Sequence, residues 1–85
     1  MTKQQLKAVA AASEIILTTV KESNGAPEGY IYAAFMQQGL NIDQFNGLMR
    51  PLYGAGALKV SNHYVTVGEN YETTLNKIQT ILRSV

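Results

Sequence analysis

The chain offers little with which to make or break a covalent bond. His63 is the sole histidine and there is no cysteine. Ser61 stands two positions before His63. On a strand that spacing shares a face, but it does not by itself set a nucleophile against a base. No carboxylate follows as an orienting partner, and no second histidine or cysteine exists to complete a transition-metal site. Glu69 and Glu72 flank Asn70 in the ordinary manner of a helix start. Gly54-Ala55-Gly56 lacks the lysine and the following helix of a phosphate-cradling loop. The expectation is a protein that is not an enzyme, with no cofactor, no metal and no small-molecule substrate. What remains is hydrogen-bonding chemistry. Gln44, Asn46 and Arg50 fall in one stretch, and Lys59, Asn62 and His63 in a second. Of the five tyrosines, Tyr53 and Tyr64 are the better candidates for exposed contacts. Tyr32 and Tyr71 are expected to bury their rings and keep their hydroxyls wet.

Composition limits what those residues belong to. The chain has 85 residues, 46% of them hydrophobic and 15% charged. A chain of this size buries roughly 60–65% of its unfolded surface. A single domain over residues 1–85 is expected, globular rather than disordered. The absence of cysteine rules out a disulfide framework and suits a reducing compartment, so a cytoplasmic location is expected. The net charge is only +1. A dedicated nucleic-acid binder carries a basic excess, so any basic patch here must come from distribution rather than total. Lys3 and Lys7 ahead of Ala8-Val9-Ala10-Ala11-Ala12 superficially resemble a signal peptide. Glu14 interrupts that run, and the pattern behind it has helical period, which argues against one. No run approaches the ~18 apolar residues of a membrane span, so no membrane partner is expected.

The elements that must position the polar residues follow from periodicity. A first helix is expected over about 2–22, opened by Thr2 with Gln5 as a weak capping box. Leu6, Val9, Ala10, Ser13, Ile16, Leu17 and Val20 share one face. Ile15 lies off it and wants a second surface, either a neighbouring helix or a second subunit. Asn24-Gly25 supplies a left-handed stop. Ala26-Pro27-Glu28-Gly29 leads into a second helix over Tyr30–Met36, stopped by Gly39. Ile31, Ala34, Phe35 and Gln38 share one of its faces and Tyr32 and Met36 another, so this helix is expected at the centre. Leu40 and Ile42 could form a short strand, with Asp43 capping a third helix. Phe45, Leu48, Met49 and Leu52 give that helix its apolar face. Asn46-Gly47 and Pro51 disturb it. Either one kinked helix runs to about Ala55, or it breaks at Arg50 and restarts.

After Gly56, Leu58 to Val67 reads as a hairpin. With Ser61-Asn62 as a two-residue loop, Val60 faces His63 and Leu58 faces Val65, which sorts Leu58, Val60, His63, Val65 and Val67 onto one side. A last helix, about 71–84 and capped by Asn70, carries Tyr71, Leu75, Ile78, Leu82 and Val85 at alternating four and three. That is the narrow seam that pairs helices. It packs either within its own subunit or across a homodimer with Ile15, and Ile15, Leu75, Ile78 and Leu82 are the candidate dimer contacts.

The expected fold is mostly α with a small β-hairpin, and it resembles the winged helix-turn-helix superfamily. The resemblance rests on Tyr32-Ala33-Ala34-Phe35-Met36, the Gly39 turn, Phe45…Leu48-Met49…Leu52, Gly56-Ala57-Leu58 and His63-Tyr64-Val65-Thr66-Val67. It covers a core of about 25–67, with flanking helices outside it. The pattern is similar to small regulators of microbes, viruses and plasmids that dimerise through terminal helices. The resemblance implies a small DNA-binding regulatory protein whose third helix enters the major groove of double-stranded DNA and whose wing touches backbone or minor groove. Arg50 and Asn46 would then read bases, with Gln44 beside them, and Lys59, Asn62 and His63 would contact the backbone. Asp43 would oppose phosphate. The alternative is a protein-interaction or assembly module on the same fold, favoured by the near-neutral charge and the small residues Gly47 and Gly54 on the outer side of the third helix.

Overall fold

A computed structural model of the chain describes residues 2–37 and 39–84. Gln38 and Val85, to which the periodicity assigns places on the second and last helices, lie outside the described residues. The chain is mostly helical with a small antiparallel sheet, in the order α1 (Lys3–Glu22), β1 (Ala26–Pro27), α2 (Glu28–Met36), α3 (Ile42–Gly54), β2 (Leu58–Ser61), β3 (Tyr64–Val67) and α4 (Tyr71–Ser84). No helix is long and apolar enough to cross a membrane among the described residues.

α1 begins on the expected capping box. Gln5 N–H donates to Thr2 Oγ1 at 3.0 Å, and Thr2 N–H donates to Gln5 Oε1 at 2.9 Å. It ends at the expected stop, where Asn24 (φ 55°) and Gly25 (φ 97°) are left-handed and Gly25 N–H donates to the Val20 carbonyl. The buried face is Ala10, Ser13, Ile16, Leu17 and Val20. Leu6 and Val9 share its period but remain partly exposed. α1, rather than α2, is the central element. It packs against α4, β3, α2 and α3, while Met36 at the end of α2 stays half exposed.

The sheet contains a strand that periodicity does not reveal. β1 pairs with β3, Ala26 opposite Val65 and Pro27 opposite Tyr64, giving the order β1-β3-β2. Proline lacks a donor and is tolerated here because β1 is an edge strand. Pro27 stands at the N-cap position of α2, without a capping bond, instead of inside its first turn, and Glu28 N–H donates to the His63 carbonyl at 2.8 Å.

α3 runs unbroken through Pro51. The donor missing at Pro51 leaves the carbonyl four residues back, at Gly47, without a helical partner. Gly47 is exposed, so water can take that place. No strand forms at Leu40–Ile42 and Asp43 is not the cap. Asn41 is: its Oδ1 accepts from Gln44 N–H at 2.8 Å, and its own N–H donates to Gln44 Oε1 at 2.9 Å. Asn70, unlike Asn41, gives its side chain to another element, donating from Nδ2 to the Ala55 carbonyl at 3.0 Å.

The hairpin register differs from the expected one. Leu58 pairs with Val67, Val60 with Val65 and Ser61 with Tyr64, so the loop is Asn62-His63. Both loop residues are left-handed, at φ 52° and 63°, as a type I′ turn requires. Leu58, Val60, Val65 and Val67 keep a common side, but His63 leaves it for the tip. Glycine at the second turn position removes the strain of a left-handed histidine. His63→Gly is therefore expected to stabilise the fold by about 0.5–1 kcal/mol, read as a rise in denaturation midpoint.

One core joins these elements, with Leu17, Val20, Ile31, Phe35, Phe45, Leu58 and Val65 almost wholly buried. The α4 seam belongs to it. Ile78 is buried, and Leu75 and Leu82 are partly buried against the same cluster. Of the four candidate dimer contacts, only Ile15 stays on the outside, 43% exposed. The Tyr71 hydroxyl also points inward and donates to the Leu17 carbonyl. Burial, then the nearby Glu72 and Glu22 carboxylates, raise the pKa of Tyr71.

Candidate nucleic-acid interface

The turn between α2 and α3 sets α3 against the core through Phe45, Met49 and Leu52. At ~100° per residue, Asn46, Arg50 and Tyr53 then form one strip along its flank. Asn46 and Arg50 are exposed one turn apart, and neither side chain has a hydrogen-bond or ion-pair partner among the described residues. Gln44 is placed apart from them. Its carbonyl oxygen is held by the Asn41 N–H, and its side chain borders a groove between α1 and α3 with Ala8, Val9, Ala12, Leu40, Leu48 and Pro51. Asp43 lies in the exposed first turn, where a carboxylate suits the helix dipole and repels phosphate.

Tyr53 is tied down rather than free. Its hydroxyl donates to Glu28 Oε2 at 2.6 Å. Burial first, then that hydrogen bond and the Glu28 charge, push the Tyr53 pKa above the ordinary tyrosine range, so it stays a donor at neutral pH. The same Glu28 donates its backbone N–H to the His63 carbonyl. One residue therefore bonds both Tyr53 near the end of α3 and the His63 carbonyl at the tip of the hairpin. Sequence reasoning assigned Glu28 only a helix-dipole role. Its partners lie 25 and 35 positions away, and no local pattern signals them.

Asn62 and His63 are exposed at the tip, as expected for contact residues. Lys59 is exposed on β2 opposite Thr66, on the sheet face that also carries Tyr64. Tyr64 is 45% exposed. Of the seven lysines and arginines, only Arg50 and Lys59 lie on α3 or the hairpin. Lys21, on α1, is engaged 4.0 Å from Glu72 and over the Tyr71 ring. The surface can donate hydrogen bonds in a defined geometry, but it carries little charge. The sequence matches no protein-family model and no curated protein, and the fold matches no solved structure.

Proposed function

We propose that this chain is a small winged helix-turn-helix protein that binds double-stranded DNA and regulates by occupancy, as a cytoplasmic homodimer without catalytic activity. The observation that supports the reading is Glu28, bonded through its carboxylate to Tyr53 on α3 and through its backbone N–H to the His63 carbonyl in the left-handed hairpin turn. The element order and the β1-β3-β2 sheet support it. In this reading α3 lies in the major groove, where Arg50 and Asn46 meet base edges. Lys59, Asn62 and His63 contact the sugar–phosphate backbone. Gln44 contributes at most its amide group.

One cation, Lys59, is left to neutralise phosphate. At about −0.9 in log K per phosphate neutralised, the salt slope is expected near −1 for one copy and about −2 for a dimer. Arg50→Ala is expected to weaken binding roughly tenfold or more while leaving thermal stability unchanged, since the residue is exposed. Fluorescence anisotropy of a labelled random-sequence duplex at low salt, repeated across salt concentrations, checks both. An Arg50→Ala protein that binds as well as the wild type overturns the assignment.

A second reading, a protein-docking module, is favoured by the apolar groove between α1 and α3, where Val9, Leu40, Leu48 and Pro51 meet. It predicts no DNA binding and no salt dependence.

A further inference from the structure

Two asparagines of the chain, Asn24 and Asn46, are followed directly by glycine. In such a pair the glycine nitrogen has no neighbouring side chain to hinder it and can attack the asparagine amide. The fold treats the two pairs differently. Gly25 is buried and left-handed at φ 97°, and its N–H donates to the Val20 carbonyl at 3.0 Å. A β-carbon there would stand 2.8 Å from the Tyr64 ring. Ala26, the next residue, is paired with Val65 in the sheet. The Gly25 nitrogen is thus shielded from solvent and locked in place.

Asn46 and Gly47 lie in α3, and both are exposed. Nothing stands within 4 Å of a β-carbon built on Gly47. Helical geometry directs the Gly47 N–H at the carbonyl four residues back, at Asp43, so attack waits on a local opening of the helix. Two features favour an opening here. Glycine is a poor helix former. Pro51 has no N–H, so the Gly47 carbonyl lacks its helical partner. Gly47 therefore gives α3 neither a side-chain contact nor a paired carbonyl.

We propose that Asn46 is the site at which this chain converts spontaneously to aspartate and isoaspartate, and that the conversion switches off the α3 surface. The Gly47 nitrogen gives its proton to solvent and bonds to the Asn46 side-chain amide carbon. The bond from that carbon to the amide nitrogen breaks, and ammonia leaves with a proton returned from solvent. Water then adds to the five-membered imide. Opening at one carbonyl gives aspartate, and opening at the other gives isoaspartate; nothing is oxidised or reduced. Aspartate at position 46 stands one turn before Arg50, the favourable order for an ion pair along a helix. The new carboxylate occupies the arginine and repels phosphate. Isoaspartate lengthens the main chain by a carbon and interrupts the helix. The loss of binding rests on the DNA-binding reading above, whereas the conversion itself does not.

Incubation of the full chain in mildly alkaline buffer, with mass mapping of its peptides over time, tests the site. Asn46 is expected to convert well ahead of Asn24. Pro51→Ala restores the missing donor and is expected to slow conversion of Asn46 about tenfold with Asn24 unchanged, circular dichroism confirming that the variant is folded. The proposal is overturned if Asn24 converts first, if neither asparagine converts, or if Pro51→Ala leaves the Asn46 rate unchanged. Anisotropy with a random-sequence duplex at low salt tests the consequence on Asn46→Asp, which is expected to bind at least about tenfold more weakly than the wild type. An Asn46→Asp protein that binds as the wild type does overturns the switch. Conversion at Asn46 in a wild-type chain that binds no DNA upholds the modification site and overturns the DNA-binding reading together with its switch.

Discussion

Gly68→Ala is expected to destabilise the fold severely. A β-carbon at Gly68 would stand inside contact distance of the Gly56 carbonyl oxygen and 2.9 Å from its carbon, with the Ala57 carbonyl carbon at 3.3 Å. Backbone, unlike the end of a flexible side chain, cannot swing aside. It is also fixed from both sides here. Gly68 N–H donates to the Ala57 carbonyl at 2.8 Å, and Asn70 N–H to the Gly56 carbonyl at 3.0 Å. Asn70 Nδ2 closes the knot on the Ala55 carbonyl, and Gly56 is left-handed at φ 77° beneath it. The end of α3, the end of β3 and the start of α4 meet at this point. Overpacking against such a junction costs about 3 kcal/mol or more. A domain of this size holds roughly 4–13 kcal/mol in total, so the midpoint should fall by roughly 12–24 °C. Gly29→Ala is the control. No atom lies within 4 Å of its added methyl, inside α2, and a gain of about 0.5–1 kcal/mol is expected.

Phe45→Ala carries the second large effect. Phe45 is 2% exposed, and its ring centroid lies 5.3 Å from that of Tyr32 and 5.6 Å from that of Phe35, both tilted. These three rings join α2 to α3. Their loss at one corner forfeits both burial and edge-to-face contact, and about 3–5 kcal/mol is expected from chemical denaturation. The consequence reaches function. α3 would keep Met49 and Leu52 but lose its N-terminal anchor, so Asn46 and Arg50 would no longer be held in a fixed place on the fold. Any DNA binding should fall even under conditions where the chain remains folded. Leu48→Ala, half-buried on the α1 side, should cost less and leave binding nearer the wild-type level.

The amphipathic helices were legible because burial imposes their period. α1 with its Thr2–Gln5 box follows from spacing alone, while for α3 spacing leaves both an unbroken helix and a break at Arg50 open, and the helix runs on through Pro51. The two-residue β1 was not legible. It owes its existence to pairing with β3, and its proline reads locally as a helix start. The hairpin register failed for a sharper reason. Leu58, Val60, Val65 and Val67 sort onto one side in either register, so hydrophobicity cannot choose between them. The choice rests on whether histidine accepts a left-handed conformation at the turn or a place on the apolar side, and it takes the turn. Asn41 displaced Asp43 as the α3 cap because Gln44 could answer it reciprocally. The α4 seam illustrates a general ambiguity, since an apolar line at three and four looks the same whether its partner is α1 or another subunit.

At the candidate interface, residue types were legible and their assembly was not. Asn46, Arg50 and Asn62 are exposed where the pattern places them, and His63 is exposed in the turn instead of on the strand. Gln44 is diverted to the cap and Tyr53 to Glu28. The Glu28 links to Tyr53 and His63 span the domain, and only the folded chain shows them.

The most direct test of the central claim is a titration of the isotope-labelled protein with random-sequence duplex at low salt, following backbone amide shifts. If α3 and the hairpin tip form one DNA-binding surface, the amides of Asn46, Arg50, Lys59, Asn62 and His63 shift together and return as salt is added, while those of α4 stay still. Amides that remain unmoved at high DNA concentration, or shifts confined to the groove between α1 and α3, would contradict it.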